Sequence, residues 1–90
     1  MKSIVTVVGK DKVGIIAGVS AKLSELDLNV IDVSQTIMED YFAMIMMVEA
    51  LKETNIKEVR AVLKELGDNL GVTIHIQNEE IFNAMHKLNF

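Results

Sequence analysis

The chain has 90 residues, half of them hydrophobic, which is enough for one core of modest size and leaves no room for a second domain. Nine basic against thirteen acidic side chains give a net charge of -4 with a single arginine, which argues against direct nucleic-acid binding through phosphate contacts. There is no cysteine for disulfide or thiolate chemistry, and no apolar run of membrane-spanning length or leader-type cleavage site, so the sequence reads as cytoplasmic and not membrane-bound.

In chain order, the β-branched run Ser3 to Val8 predicts a first strand that stops at Gly9. The polar loop Gly9-Lys10-Asp11-Lys12-Val13-Gly14 then leads into an amphipathic helix from Ile15 to Leu28, with Ile15, Ile16, Val19, Leu23 and Leu26 on its apolar side. From Asn29 to Ile37, Ile31, Val33 and Ile37 alternate with Asp32, Ser34 and Thr36, the pattern of a half-buried strand. A tight hairpin over Met38 to Tyr41 joins it to Phe42 to Val48, a strand apolar on both faces. One face of such a sheet carries helices, and the other must expose its methionines or be covered, for instance by a second subunit.

Asn55 followed by Glu58 predicts the cap of a second helix, whose stripe is Val59, Val62, Leu63, Leu66 and Leu70. Val72, Ile74 and Ile76 alternate with polar residues as a fourth strand. Asn78-Glu79-Glu80 then opens a short amphipathic helix bearing Ile81, Phe82, Met85 and Leu88. The order strand, helix, strand, strand, helix, strand predicts an α+β, ferredoxin-like βαββαβ sandwich: a four-stranded antiparallel sheet with two helices on one face and a short C-terminal helix. The single domain is expected over residues 1–90, its core at about 1–78 and a helical extension at 79–90.

No catalytic constellation stands out. Ser20 and Ser24 share a helix face without a histidine base, and His75 and His86 lack the spacing of a shared metal site. The methionines at 38, 44, 46 and 47 suit packing better than soft-metal binding. Acylphosphatase-type chemistry would need an arginine in the first loop, where there is none, and the copper-chaperone reading fails for want of a cysteine pair. No cofactor and no metal are expected.

The first loop is the best candidate for ligand chemistry. A glycine-bounded turn from strand to helix presents free backbone N–H groups near Val13, Gly14 and Ile15, where an anion can meet them. Gly9, Asp11, Gly14, Ile15, the Leu28-Asn29-Val30 step and Asp32 to Gln35 together resemble the ACT domain, a small regulatory module that often senses amino acids. The resemblance spans about residues 1 to 78 and is greatest to free-standing bacterial single-domain members and to the domains of the glycine cleavage system repressor. It implies a non-catalytic homodimeric regulator with an amino-acid-like ligand between the first loop and the start of the second strand, where two subunits meet. The ligand-binding residues it implies are Asp11, Val13, Gly14, Ile15, Asn29 and Val30, with Asp11 receiving an ammonium group and Asn29 orienting either end of a zwitterion. Lys12-Val13 departs from the basic residue and proline of many relatives, and Asp11 replaces the amide of some serine-binding ones. The competing reading is a pure protein–protein interaction module, using the apolar sheet face or the 79–90 segment and no small molecule.

Overall fold

The computed structural model describes residues 2–10 and 14–79. Asp11, Lys12 and Val13 of the first loop, and the expected terminal helix with Ile81, Phe82, Met85 and Leu88, lie outside them. Strand β1 (Lys2–Lys10) runs antiparallel to β3 (Tyr41–Ala50) on one side and to β4 (Val72–Asn78) on the other. Strand β2 (Leu28–Met38) pairs with the free side of β3, giving the order β2-β3-β1-β4. Helices α1 (Ile15–Glu25) and α2 (Ile56–Leu70) pack against one face. This is the expected ferredoxin-like sandwich.

The core lies between that face and the helices. Val5, Val7, Met44, Met46 and Val48 alternate inward along the two central strands, each 1 % exposed or less. They meet Ile15, Val19 and Leu23 of α1 and Val59 and Leu63 of α2. Each helix thus presents residues four apart, the spacing that brings side chains onto one face. Met44 and Met46 are packing residues, while Met38 at the hairpin is 68 % exposed.

Several boundaries differ from the sequence reading. The first strand continues through Gly9 to Lys10, and Gly9 is a packing glycine, since a Cβ there would stand 2.6 Å from Val72 Cγ1. Helix α1 stops at Glu25 instead of Leu28. The amides of Leu26 and Asp27 donate back to the carbonyls of Lys22 and Ser24, and Asp27 adopts a left-handed backbone (φ 59°), a conformation that ends a helix. Leu28 therefore begins β2 as a core residue.

The largest correction concerns β2. Ile31, Val33 and Ile37, expected on the buried face of a half-buried strand, are 46, 44 and 62 % exposed. A register shift between Val30 and Asp32 interrupts the alternation, and β2 is an edge strand whose outer half reaches past the cover of α1.

The hairpin and the second helix follow expectation. Glu39-Asp40 forms a two-residue turn, with Glu39 at φ 55°. Asn55 Oδ1 accepts from the Lys57 amide at 2.9 Å, and Gly71, at φ 74°, closes the other end of α2 by donating to the Gly67 carbonyl. Gly67 is the point of closest approach, because a Cβ there would meet the Val72 carbonyl oxygen at 2.7 Å. Gly67→Ala, which in an open helix would stabilise by about 1 kcal/mol, is expected here to cost about 1–3 kcal/mol through overpacking. Urea unfolding curves with an unchanged slope and a lowered midpoint are the check.

Candidate functional site

Helix α1 begins at Gly14, whose left-handed backbone (φ 89°) turns the incoming chain and whose carbonyl accepts the first helical hydrogen bond, from the Gly18 amide at 2.9 Å. Gly14, as the N-cap, has no side chain to bond this end, and the first turn of the helix carries no acid, so its amides form a potential anion-facing terminus. Among the described residues outside its chain neighbours, nothing stands within 4 Å of the position a Cβ would take at Gly14. Ile15 faces the other way, into the core, at 2 % exposure. Of the six implied residues, Gly14 and Ile15 stand here, and Asp11 and Val13 belong to the undescribed part of the same loop.

Asn29 and Val30 lie elsewhere. They help line a cleft of about 280 Å³ between the C-terminal half of α1, the start of β2 and the turn after β3, where Ser20, Ser24, Asp27 and Leu51 complete the wall. Asn29 is exposed, and Val30 is half-buried against the core. The register sets the distance between the two places. Asn29 pairs with Glu49, which pairs with Lys2, whereas the first loop leaves β1 at Lys10. The eight residue steps from Lys2 to Lys10 span about 26 Å of extended strand. Within one chain, therefore, the α1 N-terminus and Asn29 stand at opposite ends of the sheet.

The serines and Asp27 were missed as neighbours of Asn29. Their signal was the four-residue spacing of Ser20 and Ser24, continued by exposed Ile16 one turn earlier, which marks the flank of α1 above β2. The opposite flank meets α2, where a Cβ on Gly18 would touch Leu70 at 3.4 Å. A second cleft, of about 350 Å³, lies between α2 and β4 beside Arg60, Lys64 and His75 and holds none of the implied residues.

A 2.8 Å ion pair between Lys52 and Asp27 borders the Asn29 cleft, and the Asp27 carbonyl accepts from the Leu51 amide at 2.9 Å. The hydrogen bond to Asp27, and then the charge of its carboxylate, raise the Lys52 pKa above its ordinary 10.5. Among the described residues no group of three or more His, Cys, Asp and Glu is placed to hold a metal. Nor is any described helix long and apolar enough to cross a membrane.

The arrangement is that of an α+β sandwich whose features lie at helix ends and a strand edge. Residues 3–77 match the ACT domain family, and the chain belongs to it. It is 58 % identical over 89 residues to a UPF0237 protein of Listeria monocytogenes serotype 4b, covering 98 % of this chain and 100 % of that one. Among solved structures it is similar to an ACT domain protein from Streptococcus pneumoniae, at 46 % identity and a TM-score of 0.84, over 91 % of this chain and 93 % of the other. The fold alone is shared with a putative glycine cleavage system transcriptional repressor (24 % identity, TM-score 0.75, 84 % of this chain and 44 % of that one). The same holds for a formyltetrahydrofolate deformylase from Pseudomonas putida (16 %, TM-score 0.79, 87 % and 29 %). The fold is that of a regulatory domain.

Because the folded-state pKa of Lys52 is raised, the stabilisation from its pair with Asp27 is fully present below the unfolded value of 10.5 and is lost as pH rises through the folded value. Lys52→Met should therefore unfold slightly more easily than the parent at neutral pH, and the gap should close in alkaline buffer and in high salt. Paired melting curves across pH are the measurement.

Proposed function

We propose that the protein is a non-catalytic regulator that binds an amino acid or a similarly small zwitterion between two copies of itself. The observation that carries this reading is the placement of Asn29 and the α1 N-terminus at opposite ends of a sheet whose outer β2 edge is unpaired among the described residues. When two β2 edges pair antiparallel about a two-fold axis near Val33, the start of one β2 lies beside the end of the other. Ile37 and Met38, at the end of β2, lie at the same end of the sheet as Tyr41, Phe42 and Lys10. The Asn29 cleft of one copy then faces the α1 N-terminus of its partner, with the helices of both copies on the same side of the joined sheet.

Two further features support the pairing. Ile16, Val33 and Ile37 are large apolar side chains, 45, 44 and 62 % exposed, along the flank that would be covered. A domain this small also gains much from burial against a second copy. At the site the α1 amides receive the ligand carboxylate, Asp11 receives its ammonium group, and Asn29 and the serine hydroxyls set its orientation. Binding favours the paired arrangement because only that arrangement completes the site, and a further protein reads the difference. The relative described as a glycine cleavage system transcriptional repressor is in keeping with a regulatory role. The acidic charge favours a protein that meets neither nucleic acid nor an anionic membrane surface directly.

Thermal unfolding against a panel of amino acids and small carboxylates tests this. A ligand at 100 times its dissociation constant adds about 2.7 kcal/mol to the folded state, so a selective rise in midpoint is expected, lost in Asn29→Ala and in Gly14→Val. A flat panel would instead favour the pure interaction module. Separately, Val33→Glu is expected to convert a dimer into a monomer in sedimentation at micromolar concentration, and a parent chain already monomeric there would remove the two-copy arrangement.

A further inference from the structure

On the sheet face opposite the helices, burial is uneven in a way the described elements do not account for. Ile4, Thr6 and Val8 of β1 share this face, pointing away from the core residues Val5 and Val7. Val8 is 44 % exposed and Thr6 half-buried, yet Ile4 is 6 % exposed while standing outside the contiguous core cluster. Its cross-strand neighbours are Met47 on β3 and Gln77 on β4, both half-buried, whereas Ile45, one step further along the same face, is 44 % exposed. Burial thus increases toward the one corner at which β4 ends, with Asn78 paired to Ser3.

We propose that residues 80–90 of the same chain cross this face and seat their apolar stripe over Ile4 and Met47. The point of departure is fixed, because Glu79, directly after β4, has already turned into helical conformation beside that corner. The reach fits: as the helix its pattern predicts, an eleven-residue segment is about 16 Å long, and crossing from β4 over β1 and β3 to β2 takes about 14 Å. The chemistry fits as well. Ile81, Phe82, Met85 and Leu88 present one apolar stripe. The receiving face offers Ile4, Ile45 and Met47 beside a shallow groove of about 140 Å³, and Asp32 is the acid at the rim of that groove, opposite in charge to Lys87 of the segment. The apolar sheet face and the terminal amphipathic stripe, each a potential docking surface when taken alone, satisfy one another. This inference is independent of what binds at the β2 edge.

Because the chain has no cysteine, introduced pairs report without interference. The full-length double variants Met47→Cys with Ala84→Cys and Thr6→Cys with Ala84→Cys, which spare the apolar stripe of the segment, are treated with a short bis-maleimide at high dilution. Asp68→Cys with Ala84→Cys on the helix side serves as the control. The expected product is a linked species of single-chain mass from at least one sheet-face pair and not from the control. A linked species of two-chain mass would show that the segment reaches a second copy and would overturn the proposal. So would the absence of any link in both pairs. As a second measurement, full-length Phe82→Ser should increase the alkylation rate of a lone Met47→Cys thiol several-fold without loss of the folded circular-dichroism signal. An unchanged rate in that folded variant would also overturn the proposal.

Discussion

The pairing of β1 on both of its sides is the constraint from which the rest of the molecule follows. Its partners β3 and β4 hold a fixed register along almost the whole strand. A slip by one residue would turn Val5 and Val7 away from the helices and bring Thr6 and Val8 into the core. The same register decides where each connection emerges. The first loop leaves from one end, and the Asn29 step lies level with the other. A chain of this topology cannot fold both features into one place, so any chemistry that uses both must be shared between chains.

Much of the architecture was legible because it rests on periodicity. The four-residue spacing in α1 and α2 and the alternation along β4 reflect the two regular side-chain repeats, and both survive in the structure. The cap at Asn55 was legible for a local reason as well, since the side chain and the amide it accepts from are two residues apart. Two of the departures involve partners distant in sequence. Gly9 looked like a stop because nothing in its neighbourhood reveals Val72 pressing on it. Ile31, Val33 and Ile37 read as buried because alternation reports a face and not what covers it.

The candidate site shows the same division. Gly14, with its left-handed backbone at the head of α1, could be found from the glycine spacing alone. That Asn29 shares a cleft with Ser20, Ser24 and Asp27 could not, because it depends on where α1 ends and how far β2 is offset from it. The end of α1 is itself set by Asp27 adopting a backbone conformation more usual for glycine or asparagine. A single residue thus ends the helix, turns the chain toward β2 and anchors Lys52 from the connection between β3 and α2. Composition alone would have placed that aspartate among the solvated surface charges.

The two margins of the sheet are not equivalent. Along β4 the guanidinium of Arg60 already occupies the Ile76 carbonyl, so an incoming strand would have to displace a charged donor before it could bond there. Strand β2 carries no such obstruction among the contacts described for it, and its outer half is the more exposed. A molecule able to add neighbours at both margins would string into an open-ended ribbon, the first step toward a fibre. One that adds at a single margin, by a contact identical on both members, exhausts its capacity after two. The lone arginine of this acidic chain thus makes the β4 margin the harder one to extend, so that any strand added to this small, methionine-rich sheet is directed toward β2.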